Sequence, residues 1–214
     1  MGTGERCRGY EDMVLHLLRE GSTLSGDINM KKTVFGSLVA LALVVPAVAG
    51  LKVASGLNPG ENVTPFHPTH VSGPLAGKKA CFPCTFQNRP QVQVWVNGDD
   101  AKNVTAIATE LQKQIDANKK SEFKAMVVWV TNDEAAATDT IKNLVAKTGA
   151  KDVALSILPK NDEAVTAYKV NLSNDVKNTV FAYKNWKVEA KMVNLKSDAK
   201  GLAALDGAID KLIK

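Results

Sequence analysis

The sequence predicts an α/β domain on a mixed five-stranded sheet flanked by helices, preceded by an irregular N-terminal extension. Three observations carry this. From Gln91 onward, strand-like and helix-like patterns alternate, the order expected of parallel strands joined by crossover helices. Ala125 to Val130 is an unbroken apolar run, typical of a central strand covered on both faces. Near the end, Thr179 to Tyr183 and Lys187 to Val193 form a hairpin turning at Lys184-Asn185, which adds antiparallel strands.

The elements follow in order. Val92, Val94 and Val96 alternate with Gln93 and Trp95, the period-two pattern of a strand. Asn97-Gly98-Asp99-Asp100 turns the chain and caps a helix near 100–117, whose inner face is Val104, Ile107, Ala108, Leu111 and Ile115. After the apolar strand, Asn132 or Asp133 caps a helix near 134–148, with Ala137, Ile141, Leu144 and Val145 inward and Gly149 as its stop. Val153 to Leu158 is a third strand, and Asp162 to Tyr168 a short helix. Behind the hairpin, Ser197 or Asp198 caps a helix near 198–213, with Leu202, Leu205, Ile209 and Leu212 inside.

Before Gln91 the chain changes character. Residues 50–90 are broken by prolines and glycines and lack helical or strand periodicity. Residues 30–49 have the three parts of a bacterial signal peptide: Lys31-Lys32, an uncharged apolar run from Thr33 to Val45, and Ala47-Val48-Ala49 before a cleavage point at Gly50. Residues 1–29 upstream of it are a start-site over-call or a leader. This organisation predicts an exported product, soluble in the periplasm or outside the cell, with no stable membrane anchor after cleavage.

Composition narrows the function classes. The 214 residues carry a net charge of +5, and the first 49 contain equal numbers of acids and bases. After residue 49 the excess is almost entirely lysine, with Arg89 the sole arginine. Nucleic-acid readers favour arginine forks, so no nucleic-acid partner is expected. No Ser-His-Asp set, phosphate loop or paired-carboxylate motif is present. Asp99-Asp100 and Asp133-Glu134 sit at helix starts, where acids cap rather than catalyse. Trp95, Trp129 and Trp186 read as packing residues, with Trp186 the best placed for an exposed contact.

The chemistry-bearing motif is Cys81-Phe82-Pro83-Cys84, the only two cysteines beyond Cys7. Together with the element order it resembles the thioredoxin superfamily. Gly73 to Lys78, the Cys pair, Arg89-Pro90 and the following apolar strand resemble a group of uncharacterised exported bacterial thioredoxin-like proteins. The resemblance covers 91–214 by topology, as a thioredoxin-like domain with the motif just outside it. It implies thiol–disulfide exchange with protein thiols and disulfides, Cys81 attacking and Cys84 resolving, with no cofactor. Two departures stand out. Thioredoxins place the Cys pair after a central strand, and the corresponding place here, Thr131-Asn132-Asp133-Glu134, has none. They also carry a cis-proline before the first hairpin strand, where this chain has Asn178.

Three readings of the pair stay open. As a redox dithiol, it has the usual spacing, and Lys78 and Lys79 are the nearest charges in sequence that could stabilise a thiolate, leaving Cys81 partly exposed. The short gap to Arg89-Pro90 leaves little room for a helix. A motif before a strand starts at the pole opposite the usual site, although Thr85 to Gln91 can span roughly 20 Å if extended, so the pair is not strictly confined there. As a structural disulfide, so small a loop contributes about 2 kcal/mol by chain entropy. As a metal site, His67 and His70 would join Cys81 and Cys84 as a four-ligand set for zinc or copper.

Overall fold

A computed structural model describes residues 53–214. The signal-peptide and leader assignments lie outside these residues. The order is β1 (Thr69–Ser72), α1 (Phe82–Phe86), β2 (Gln91–Val96), α2 (Ala101–Ala117), β3 (Lys124–Val130), α3 (Glu134–Thr148), β4 (Ala154–Leu158), α4 (Glu163–Ala167), β5 (Asn178–Lys184), β6 (Lys187–Val193) and α5 (Ala199–Ile213). A short 3₁₀ turn, Lys119–Ser121, joins α2 to β3.

The sheet has six strands, not five, in the order β1-β4-β3-β2-β5-β6. The extra strand comes from the segment expected to be irregular: β1 pairs antiparallel with β4, Thr69 opposite Ile157. β2, β3 and β4 run parallel, and β2 meets β5 antiparallel with Val96 opposite Asn178. The apolar run 125–130 is therefore interior. The hairpin turns one residue later than expected, at Asn185 and Trp186, both at positive φ, as a two-residue turn matching strand twist requires.

The long helices start where the sequence places them, because each N-cap is a carboxylate. Asp100, Asp133 and Asp198 accept from the first-turn N–H groups of α2, α3 and α5, a contribution of about 1 kcal/mol each. These three helices share one face of the sheet. Val104, Ile107 and Leu111 of α2, Ile141 of α3 and Leu205 and Ile209 of α5 pack on Val92, Val94, Ala125 and Val127.

The other face explains why β2 is buried on both sides. It holds Trp95, Met126, Val128, Phe181 and Tyr183. It is covered by Ala164, Val165 and Tyr168 at and beside α4, and by Leu57, Val63, Phe66, Leu75 and Phe82 from the N-terminal segment. That segment, expected to be irregular, forms a second layer of the core. It also lines both sheet edges. Gly60 N–H donates to Val188 O and Val188 N–H to Glu61 O along β6, and His70 N–H donates to Lys78 O along β1. Gly73, at φ +87°, lets the chain turn against β4, since a Cβ there would stand 2.4 Å from Val153 O.

Candidate redox site

The Cys motif does build a helix. Pro83 sits in its first turn, where a missing N–H costs nothing and the fixed φ suits the helix. Cys81 is the N-cap, in extended conformation, and its Sγ accepts the Cys84 N–H at 3.1 Å. Thr85 Oγ1 donates to Cys81 O at 2.8 Å, closing the turn from the other side. The expectation of too little room for a helix is thus corrected: five residues suffice because the cysteine itself caps them. Phe82 is 1% exposed and packs edge-on against Phe86, ring centres 4.7 Å apart.

Cys81 and Cys84 are joined in a disulfide, with Cα atoms 5.3 Å apart. Their surroundings differ. Cys81 is 6% exposed, contrary to the expectation of a partly open Cys81, whereas Cys84 lies at the surface. Lys78 and Lys79 are exposed, and Lys79 pairs with Thr69 across the turn that follows β1. The motif is not confined to the pole opposite the usual site. Ala80 N–H donates to Pro68 O beside the C-terminal half of β4, while the far end of α1 is tied to Gln91, the first residue of β2. α1 therefore lies across the second face of the sheet.

A buried polar chain backs the helix. Gln91 Nε2 donates to Gln87 O at 2.8 Å, and Gln91 Oε1 accepts from Tyr183 OH at 2.7 Å. Gln93 Nε2 donates to the same hydroxyl at 2.8 Å and its Oε1 accepts from Trp95 Nε1 at 3.1 Å. Burial pushes the Tyr183 phenol well above its usual range, so it stays protonated and can donate. In sequence, the alternation of these glutamines with valines marks a strand and nothing more. Their partner stands some 90 residues away, and no local pattern announces it.

The proposed metal ligands are not assembled. His67 is exposed, whereas His70 is 1% exposed. Among the described residues, no three His, Cys, Asp or Glu side chains gather to hold an ion, so His67, His70, Cys81 and Cys84 do not form a set. His70 has a different place, which the sequence does not signal. Its Nε2 lies 3.1 Å from Ala80 O, the carbonyl just before Cys81, and its buried Nδ1 has no partner. Burial, the larger effect, holds its pKa below 6.5 against the opposing Ala80 carbonyl. The ring is then neutral near pH 7, with the proton placed on Nε2 by its carbonyl acceptor.

The place where a thioredoxin would carry its own pair also needs correction. Asn178 pairs with Val96 and donates to Asp99 Oδ2 and to Leu195 O. The loop facing it is Asn97–Asp100, which opens α2, and not Thr131–Glu134, one strand further off. Asp99 and Asn103 hold that loop in a satisfied acid–amide network beside a groove of about 540 Å³. It contains no thiol, and no cis peptide occurs among the described residues. Trp95 is wholly buried, and Trp186 is half-buried against the second core.

No family model and no curated protein matches the sequence. Solved structures do. A Chlorobium tepidum protein described as a thiol:disulfide interchange protein DsbE superposes with a TM-score of 0.56 at 15% identity, covering 74% of this chain and 99% of its own. The fold is thioredoxin-like. The thioredoxin domain of a Bacteroides vulgatus thiol-disulfide oxidoreductase aligns at TM-score 0.54 and 14% identity, over 74% of this chain and 99% of that one. A thiol peroxidase from Chromobacterium violaceum aligns at 0.50 and 11%, over 74% and 90%. In this thioredoxin-like domain the cysteines sit on a helix ahead of β2, and the loop after β2 has none. No helix among the described residues is long and apolar enough to cross a membrane.

Proposed function

We propose that the chain is an exported thiol–disulfide exchange protein that works through Cys81 and Cys84 on protein thiols and disulfides. The observation that carries this is a Cys-x-Pro-Cys disulfide with one residue buried at a helix N-cap and the other open to solvent. A thiolate partner needs an accessible sulfur, and the bond it breaks needs a stabilised leaving sulfur. The thioredoxin-like fold and the thiol–disulfide chemistry for which its structural neighbours are described support the same reading. Export is supported by the signal-peptide pattern of residues 30–49, and the exported product should begin at Gly50. N-terminal sequencing that finds Met30 to Ala49 retained would refute the processing.

A second reading has its own support. Phe82 and Pro83 are buried beside the bond, so the disulfide could serve only to pin α1 to the sheet. The reduction potential separates the two. An exchanging pair should equilibrate with glutathione or thioredoxin buffers, whereas a structural bridge should lie below about −300 mV. Resistance to reduction throughout that range would leave only the structural role.

A further inference from the structure

We infer that exchange at this site runs with the cysteines in the opposite order from that implied by the resemblance: Cys84 is the sulfur that meets the partner, and Cys81 is the buried sulfur that leaves and later resolves. The assignment rests on the exchange function proposed above and adds its direction of attack.

Two independent features of the motif point the same way. The first is access. Cys84 is exposed and followed by exposed Thr85, while Cys81 is 6% exposed between half-buried Ala80 and buried Phe82. Ala80 is fixed on its other side by Pro68 O and by the His70 ring, so the chain before Cys81 is tied down. An incoming thiolate must approach the attacked sulfur from the side opposite the bond it breaks, and the open residue of the pair is Cys84. The second is charge. The Cys84 N–H donates to Cys81 Sγ at 3.1 Å, and among the described residues no hydrogen bond is formed by Cys84 Sγ. A donor on one sulfur stabilises a thiolate there, and the sulfur with the more stable thiolate leaves faster.

The step balances with a dithiol partner. One partner thiol loses its proton and attacks Cys84 Sγ. A partner–Cys84 disulfide forms, the Cys81–Cys84 bond breaks, and its electron pair goes to Cys81 Sγ. The partner's second thiol, deprotonated, then attacks the partner's own sulfur in the mixed disulfide, and Cys84 leaves as a thiolate. The partner is oxidised to a disulfide, the Cys pair is reduced by two electrons, and the two partner protons end on Cys81 and Cys84. With a partner disulfide the sequence reverses: the Cys84 thiolate attacks first, and Cys81 resolves.

Glutathione tests the order on the full chain. The oxidised protein is mixed with reduced glutathione, quenched with acid, and the mixed disulfide located by peptide mass mapping. The adduct should be on Cys84. Single variants give the rate: with oxidised glutathione, Cys81→Ser should form its adduct at least about tenfold faster than Cys84→Ser, because the open access to Cys84 outweighs the larger thiolate fraction at buried Cys81, a thiolate whose nucleophilicity falls with its pKa. Serine at the first position keeps an N-cap acceptor, so the helix should survive, and the wild-type mapping needs no variant. An adduct first on Cys81, or a faster Cys84→Ser variant, overturns the assignment and leaves the exchange function standing. No adduct on either sulfur overturns both.

Discussion

At the scale of single residues, His70 is the group whose environment departs furthest from what a short motif conveys. A histidine three residues after another, upstream of two cysteines, has a ligand's spacing. In the fold it is a neutral ring under the Cys motif, with one nitrogen 3.1 Å from Ala80 O and the other unpartnered. A buried polar atom without a partner costs about 1–3 kcal/mol, so the ring holds this place at some expense. Its titration has a direction. The unfolded chain binds the proton near pH 6.5, while the folded ring has a lower pKa and binds fewer protons in between. Stability therefore rises with pH through this window: it is fully present above about 6.5 and drains away as pH falls toward the folded value. Urea midpoints measured from pH 7.5 down to 5 should fall for the wild type and fall less for His70→Asn. Parallel curves for the two proteins would contradict this account.

At the scale of elements, the N-terminal segment decides whether there is a domain at all. Leu57, Val63, Phe66, Leu75 and Phe82 are buried on the second face of the sheet. At about 1.5–3 kcal/mol for each large apolar side chain, their contribution is on the order of 10 kcal/mol, comparable to the roughly 5–15 kcal/mol net stability of a whole domain. A chain trimmed to 91–214, the span set apart by topology in the sequence, should keep helical circular dichroism but bind a hydrophobic dye and melt without a cooperative transition. A sharp melt and a dispersed NMR spectrum from that fragment would show the segment to be dispensable. The sequence hid this layer for identifiable reasons. β1 has four residues, Thr-His-Val-Ser, between Pro68 and Gly73, too few to show a period. α1 carries the proline that marks a helix start, but its cap is a cysteine, outside the usual capping residues. The long helices were legible because Asp100, Asp133 and Asp198 mark their starts and apolar residues recur along one face of each. At the candidate site, the pair itself was legible and its burial was not. Which cysteine faces solvent depends on Phe82 docking against strands that lie far along the chain.

At the scale of the whole molecule, the N-terminal segment covers part of each border of the sheet. Residues 60–63 pair with the start of β6, at Lys187 and Val188, and residues 77–80 fold back along β1. Unpaired strand edges invite pairing between copies, so this arrangement protects against edge-to-edge association. It also ties the beginning of the described chain to its end. Ser55 Oγ meets Thr179 Oγ1 at 2.6 Å across 124 residues, and Lys191 Nζ donates to Asn58 Oδ1 across 133. Such distant contacts slow folding, because long loops must close before they are rewarded. Synthesis makes the consequence sharper. The stretch that leaves the ribosome early has its pairing partner, β6, among the last strands made. Until Lys187 to Val193 exist, residues 60–63 lack the strand they pair with and the second face has no finished border on that side. The two halves of the hydrophobic sandwich can therefore lock only after translation is nearly complete, and a nascent chain of this design stays unsealed for most of its making.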